Sequence, residues 1–201
     1  MKPGLAFVLI IISILGVYAM GEEINGTNSS KTETATFGGG CFWCLEAVFE
    51  RQEGVLSVVS GYAGGVSVNP TYKQISTEET EHAEVIQVEY NPEEITYVKL
   101  LDVFWNVHDP TTLNRQGADV GSQYRSIILY HNQDQRQAAE ESREMQNSAG
   151  RFRDPIVTEI GPLTIFYPAE EYHQDYFANN PYAGYCTFVI RPKLKKLGLD
   201  F

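Results

Sequence analysis

The sequence predicts an α+β domain on a ferredoxin-like βαββαβ core, a sheet with its helices on one face. Three observations carry that prediction. Between residues 34 and 130 the hydrophobic pattern runs strand, helix, strand, strand, helix, strand. The breaks between these segments hold Gly and Pro, as in 63–70, Asn91-Pro92 and Asp109-Pro110. Of 201 residues, 43% are apolar and 12% aromatic, enough for one sizeable core once the ends are set aside.

The first strand is expected over 34–37, and Gly38-Gly39-Gly40 turns the chain into a helix whose apolar positions recur over 45–50. A second strand follows over 56–62. The stretch 82–90 alternates as a half-buried strand does, and Asn91-Pro92 ends it. Thr96 suits the cap of a helix whose Val98, Leu101, Phe104 and Trp105 share a face, stopped by Asp109-Pro110. A strand over 124–130 completes the core. Beyond it come a polar amphipathic helix over 134–149 that Gly150 ends, a strand over 156–160, a short helix over 169–177 and a loop-rich tail.

Residues 1–20 pair Lys2 with an apolar run over 5–17 and end in Val17-Tyr18-Ala19, the pattern of an export signal, or of a membrane anchor if uncleaved. Residues 21–31 read as a polar linker, with Asn25-Gly26-Thr27 and Asn28-Ser29-Ser30 as glycosylation acceptors, and 32–201 as one catalytic domain. Either way the domain is expected outside the cytosol. The net charge of −11 argues against nucleic-acid binding, since no basic stripe offsets phosphate repulsion. Three cysteines are too few for a disulfide scaffold, and the odd number fits redox chemistry.

The chemistry centres on Gly40-Cys41-Phe42-Trp43-Cys44. Cys41 falls at a helix start, where unpaired N–H groups and the macrodipole favour a thiolate. Cys41 and Cys44 suit a redox-active dithiol; a structural bridge is the alternative, and zinc lacks a second ligand pair. Glu84 shares a strand face with Ile86, Val88 and Tyr90, so it either points coreward, where desolvation would keep a proton on it, or ends the strand in solvent. Tyr62, Tyr72 and Tyr124 offer hydroxyls or packing, and Asp119 a polar group or a turn residue. Cys186 lies either on a mobile arm, suggested by nearby Pro181 and Gly184, or buried in a terminal strand over 187–190.

These residues resemble the A-type peptide methionine sulfoxide reductases. The resemblance runs from Phe37 to about Lys196 and includes Gly61-Tyr62-Ala63-Gly64-Gly65, Asn69-Pro70-Thr71-Tyr72, His82-Ala83-Glu84, His108-Asp109-Pro110, Arg115-Gln116-Gly117-Ala118-Asp119, Gly121-Ser122-Gln123-Tyr124-Arg125-Ser126 and Gly184-Tyr185-Cys186. It implies a two-layer α+β sandwich. It also implies Cys41 as nucleophile, Glu84 as acid, Tyr72 and Tyr124 as donors to the sulfoxide oxygen, Asp119 in the same polar pocket, and Phe42 and Trp43 as walls for the substrate methyl group.

The implied reaction reduces methionine S-sulfoxide, free or in proteins, through a Cys41 sulfenic acid and an intramolecular disulfide that a thioredoxin-like protein reduces. It needs no metal or organic cofactor, and the enzyme is expected to act as a monomer. Cys44 stands where many members carry glycine, so Cys44 and Cys186 both qualify as the resolving thiol, with Cys186 favoured. The rival readings are an exported thiol–disulfide oxidoreductase using Cys41 and Cys44, and a non-enzymatic secreted binding domain.

Overall fold

The computed structural model describes residue 1 and residues 32–199. The expected leader and linker, beyond Met1, lie outside the described residues, and among those described no helix is long and apolar enough to cross a membrane.

In chain order the elements are β1 (Glu33–Gly38), α1 (Phe42–Phe49), β2 (Val55–Ala63), α2 (Tyr72–Ile75), β3 (Ala83–Tyr90), α3 (Tyr97–Val107), β4 (Arg115–Gln116), β5 (Asp119–Val120), β6 (Ile127–Tyr130), α4 (Gln133–Ser148), β7 (Glu159–Pro162), β8 (Phe166–Pro168), α5 (Tyr176–Asn179) and α6 (Arg191–Lys196). Two helices start as capping rules require. Thr96 Oγ1 accepts from Lys99 N at the head of α3, and the Asn132 side chain accepts from Gln135 N at the head of α4.

The main sheet has six strands in the order β7-β6-β1-β3-β2-β8. All its pairings are antiparallel except β6 with β7. α1 lies in the crossover between β1 and β2, and α3 in that between β3 and β6. One sheet face, with Phe37, Ile86, Val88 and Tyr90, joins α1 and α3 in a continuous core that includes Leu45, Phe49, Phe104 and Trp105. Removing that apolar surface from water is the main force holding the layers together. The other face has a small cluster of Ala63, Ala83, Val85, Ile127 and Leu129. Both faces of β3 near its start are therefore buried, which is what takes Glu84 out of water.

Several expected elements differ. Helix α1 begins at Phe42, ahead of the apolar periodicity that marks 45–50. Val98 is exposed, because the buried stripe of α3 is Leu100, Leu101, Phe104, Trp105 and Val107. The strand expected from 124 starts only at Ile127, since Ser122–Tyr124 is a 3-10 turn closed by Tyr124 N donating to Gly121 O. The strand expected over 156–160 begins at Glu159: Ile156 N donates to Asn147 Oδ1 and Val157 N to Pro110 O rather than to a neighbouring strand. The helix expected over 169–177 is broken in two by Asp175 at φ +51, leaving a 3-10 turn, Glu171–His173, and α5.

The tail is neither loop nor strand. A π-helical turn, Cys186–Ile190, runs into α6, and Cys186, Ile190 and Leu194 are buried four residues apart, a helical period.

Gly61 marks the closest approach of β8 to β2. A Cβ there would stand 2.4 Å from Phe166 Cζ and 2.5 Å from Tyr167 O. Gly61→Ala is expected to destabilise the fold by about 2 kcal/mol through overpacking, lowering the thermal midpoint by roughly 4–8 °C. Thermal denaturation followed by circular dichroism checks this; an unchanged midpoint would mean that β8 yields freely.

Candidate active site

The site forms where β1 hands the chain to α1. Gly40 takes φ +89, and a Cβ on it would lie 2.6 Å from Gln116 Cγ, so the turn into the helix requires glycine twice over. Cys41 is the N-cap of α1 but caps nothing with its side chain. The partner comes from the sheet: Phe42 N donates to Glu84 Oε2 at 3.1 Å. A carboxyl group on β3 thus satisfies the first free N–H of the helix that carries the cysteines.

Glu84 is buried, and its carboxyl is pushed up to about 8. Desolvation is the main cause, opposed by the Phe42 N–H and reinforced by the charges of Asp119 and Cys44. At neutral pH it therefore holds a proton. Tyr72 and Tyr124 are half-buried. Burial raises both hydroxyls, and the negative charge of Glu84 and of Cys41 adds to the rise, so both hydroxyls lie within electrostatic reach of the acid and the thiol. Gly40 N donates to Tyr124 O at 3.2 Å, which ties the Tyr124 turn to the glycine corner.

Cys41 and Cys44 are free thiols joined by a side-chain hydrogen bond. Burial pushes the Cys41 thiol up, with Cys44 and the charge of Glu84 in the same direction. Cys44 is lowered to about 6, first by the Cys41 hydrogen bond and, against burial, by the Lys193 charge and the Tyr185 hydroxyl. Burial and the pairing thus work against ionisation at Cys41, while the Cys41 contact and the Lys193 charge favour it at Cys44. At Cys41 the burial therefore opposes the pull of the helix start toward the expected anion.

Cys44 Sγ donates to the Tyr185 hydroxyl oxygen at 3.6 Å, and that hydroxyl donates to Asp119 Oδ2 at 2.8 Å. These groups line a cavity of about 340 Å³ with Gln116, Val189 and Lys193.

On the other flank, Phe42 and Trp43 stand 6.1 Å apart. Trp43 stacks on Tyr176 at 3.6 Å, and Phe42 meets Tyr62 at 6.0 Å and His173 at 5.1 Å. His173 is buried with neither ring nitrogen hydrogen-bonded, as is Trp43 Nε1. The Tyr62 hydroxyl donates to Glu170 Oε2 at 2.9 Å. Cys186 is fully buried, as one of the two readings expects, but in a π-helical turn packed against α1 rather than in a strand.

Glu84, Cys41, Cys44, Tyr72, Tyr124, Phe42, Trp43 and Asp119 thus converge, with Cys186 behind the dithiol. Tyr185 and Lys193 were missed in the sequence. Tyr185 stands inside a quoted motif with no sign of which way its hydroxyl points, and Lys193 belongs to a lysine-rich tail whose helical return over the cavity is a tertiary fact.

Residues 33–199 match the model of the family described as peptide methionine sulfoxide reductase. The chain is 56% identical over 169 residues to "Peptide methionine sulfoxide reductase MsrA 1" of Rhodopirellula baltica, covering 84% of this chain and 87% of that protein. Among solved structures it is similar to reduced Mxr1 from Saccharomyces cerevisiae, with a TM-score of 0.74 and 35% identity over 79% of this chain and 91% of that one. Mxr1 has also been solved in complex with Trx2, and that chain is 29% identical with a TM-score of 0.53 over 74% of this chain and 87% of its own. A protonated carboxyl, a thiol pair and two tyrosines around one small volume accord with these matches, and the chain belongs to the peptide methionine sulfoxide reductase family.

Proposed function

We propose that the chain reduces methionine S-sulfoxide, free or in proteins, by attack of Cys41 Sγ on the sulfoxide sulfur. The observation that carries this reading is the buried, protonated Glu84 held against the first turn of α1, 3.1 Å from Phe42 N. A sulfoxide is a poor electrophile until its oxygen is protonated. Glu84 supplies that proton, Tyr72 and Tyr124 donate hydrogen bonds to the same oxygen, and the Cys41 proton passes to the Cys44 thiolate as the S–S contact forms. Phe42 and Trp43 enclose the substrate methyl group, and Asp119 orders the polar rim through Tyr185.

Transfer of the oxygen releases methionine and leaves Cys41 as a sulfenic acid. A second thiol then displaces water and forms a disulfide. Cys44, hydrogen-bonded to Cys41 in the same helical turn, is the first resolver; Cys186 receives the bond in a relay. This reverses the order favoured by sequence resemblance, because Cys44 already contacts Cys41 while Cys186 is buried in a packed helical turn. A thioredoxin-like dithiol reduces the final disulfide, as the Mxr1 complex with Trx2 suggests for this family.

The four central strands, in the order β6-β1-β3-β2 with α1 and α3 in the crossovers, support a ferredoxin-like core within a two-layer sandwich. Residues 1–20 support export, by cleavage or tethering, and the enzyme acts as a monomer; cell fractionation with N-terminal sequencing, and sedimentation, test these points.

The reaction is tested by turnover of methionine S-sulfoxide with thioredoxin, and the order of thiols by peptide mass mapping after one turnover in the absence of reductant. A Cys41–Cys44 bond at the earliest times is expected, with Cys44–Cys186 following. A Cys41–Cys186 bond appearing first would overturn the order. Insulin disulfide reduction without sulfoxide turnover would overturn the function.

A further inference from the structure

Helix α2 has only four residues and follows the Gly- and Pro-bearing loop 64–71. A single turn does not hold itself in place, because nucleation is unfavourable without tertiary support. Its capping box, in which Thr71 and Gln74 bond each other, shapes the turn but does not attach it to the sheet. Ile75 seats the end of the turn in the core, and Glu170 ties its beginning to the sheet. Its Oε1 accepts from Tyr72 N at 2.9 Å, and its Oε2 accepts from the Tyr62 hydroxyl at 2.9 Å.

Tyr62 lies on β2 directly opposite Glu84 in register. One carboxylate therefore bridges the strand beside the acid and the backbone of the tyrosine read as an oxygen donor. Glu170 is itself fixed: Ala169 N donates to Ser60 O, His173 N donates to Glu170 O, and the His173 ring lies 4.4 Å from that of Tyr72. Burial alone would raise the Glu170 carboxyl, but the N–H and hydroxyl donors outweigh it and hold the group below its ordinary value, ionised and accepting on both oxygens.

We propose that Glu170 is a positioning residue for the reaction, holding the Tyr72 hydroxyl at the sulfoxide oxygen through the Tyr72 backbone. The inference rests on Tyr72 being a donor in the reaction. Glu170 touches neither substrate nor the reacting sulfur. Its loss frees the start of α2, where Tyr72 sits, while Ile75 keeps the other end seated; one donor goes out of line, slowing chemistry without altering substrate affinity.

A double-mutant cycle separates this from a general packing role. The full-length protein is compared with Glu170→Ala, Tyr72→Phe and the double variant in single-turnover formation of methionine from the S-sulfoxide. Thermal midpoints are measured alongside. Loss of a charge-assisted hydrogen bond of this kind predicts a Glu170→Ala rate about tenfold slower, with KM unchanged. In the Tyr72→Phe background the same change is expected to have less than about a twofold effect, since the hydroxyl it positions is gone.

Glu170→Gln keeps an acceptor for Tyr72 N and is expected to recover most of the rate; it also serves if Glu170→Ala does not fold. Equal penalties in both backgrounds, or a change in KM alone, would overturn the positioning role while leaving Tyr72 as a donor. A Tyr72→Phe rate equal to the parent's would instead refute the donor reading, and the positioning role with it.

Discussion

Cys41→Ser is expected to abolish sulfoxide turnover, with a loss of at least about ten-thousand-fold, as when other covalent nucleophiles are removed. The substitution is nearly isosteric, and Cys41 makes no side-chain cap hydrogen bond at the start of α1, so the fold has little reason to change. What disappears is chemistry. A serine hydroxyl is a far weaker nucleophile toward sulfur, and its oxygen cannot accept the transferred oxygen as a stable acid that a thiol later reduces. Methionine released from the S-sulfoxide with dithiothreitol, which bypasses any protein reductant, measures the effect. Retention of more than a few per cent of the parent rate would place the nucleophile elsewhere, with Cys44 the first candidate.

Glu84→Gln is expected to slow the first chemical step by about a hundred- to a thousand-fold, within the range for loss of a positioned general acid. Glutamine can still accept from Phe42 N, so the start of α1 is preserved, and it can still donate a hydrogen bond. It cannot lose a proton to the departing oxygen. Because burial pushes the Glu84 carboxyl up to about 8, the parent holds the required proton through neutrality and loses it as pH rises through that value. The base works in the opposite sense. Cys44, lowered to about 6, must be deprotonated to take the Cys41 proton, so the rate rises as pH climbs through about 6. The two titrations bound a window of activity between them.

The difference between what was legible in the sequence and what was not follows from the range of the interactions. β3 announced itself by alternation, and Ile86, Val88 and Tyr90 showed which face was apolar. That Glu84 at the end of that row is buried depends on Ala83 and Val85 being covered as well, which no period-two pattern reveals. The glycine corner and the C-x-x-C pair were local and plain. The surroundings of Cys44 were not, because Lys193 and Tyr185 arrive from the far end of the chain.

The tail was misjudged for a related reason. Pro181 and Gly184 are turn residues, but Cys186, Ile190 and Leu194 find a hydrophobic seat four residues apart, and packing overrode the local signal. Strands β4 and β5, of two residues each, are too short for any pattern to mark, yet they carry Asp119 to the Tyr185 hydroxyl. The 3-10 turn that ends in Tyr124 similarly depends on a backbone bond to Gly121.

The central claim is that a thiol at position 41 attacks only while a buried carboxyl at position 84 still carries its proton. The most direct test is the pH dependence of the single-turnover rate of methionine formation in the parent and in Glu84→Gln. The parent should give a bell with limbs near 6 and near 8, and the variant should be slower and lose the alkaline limb alone. An alkaline limb that persists unchanged in Glu84→Gln would contradict the account.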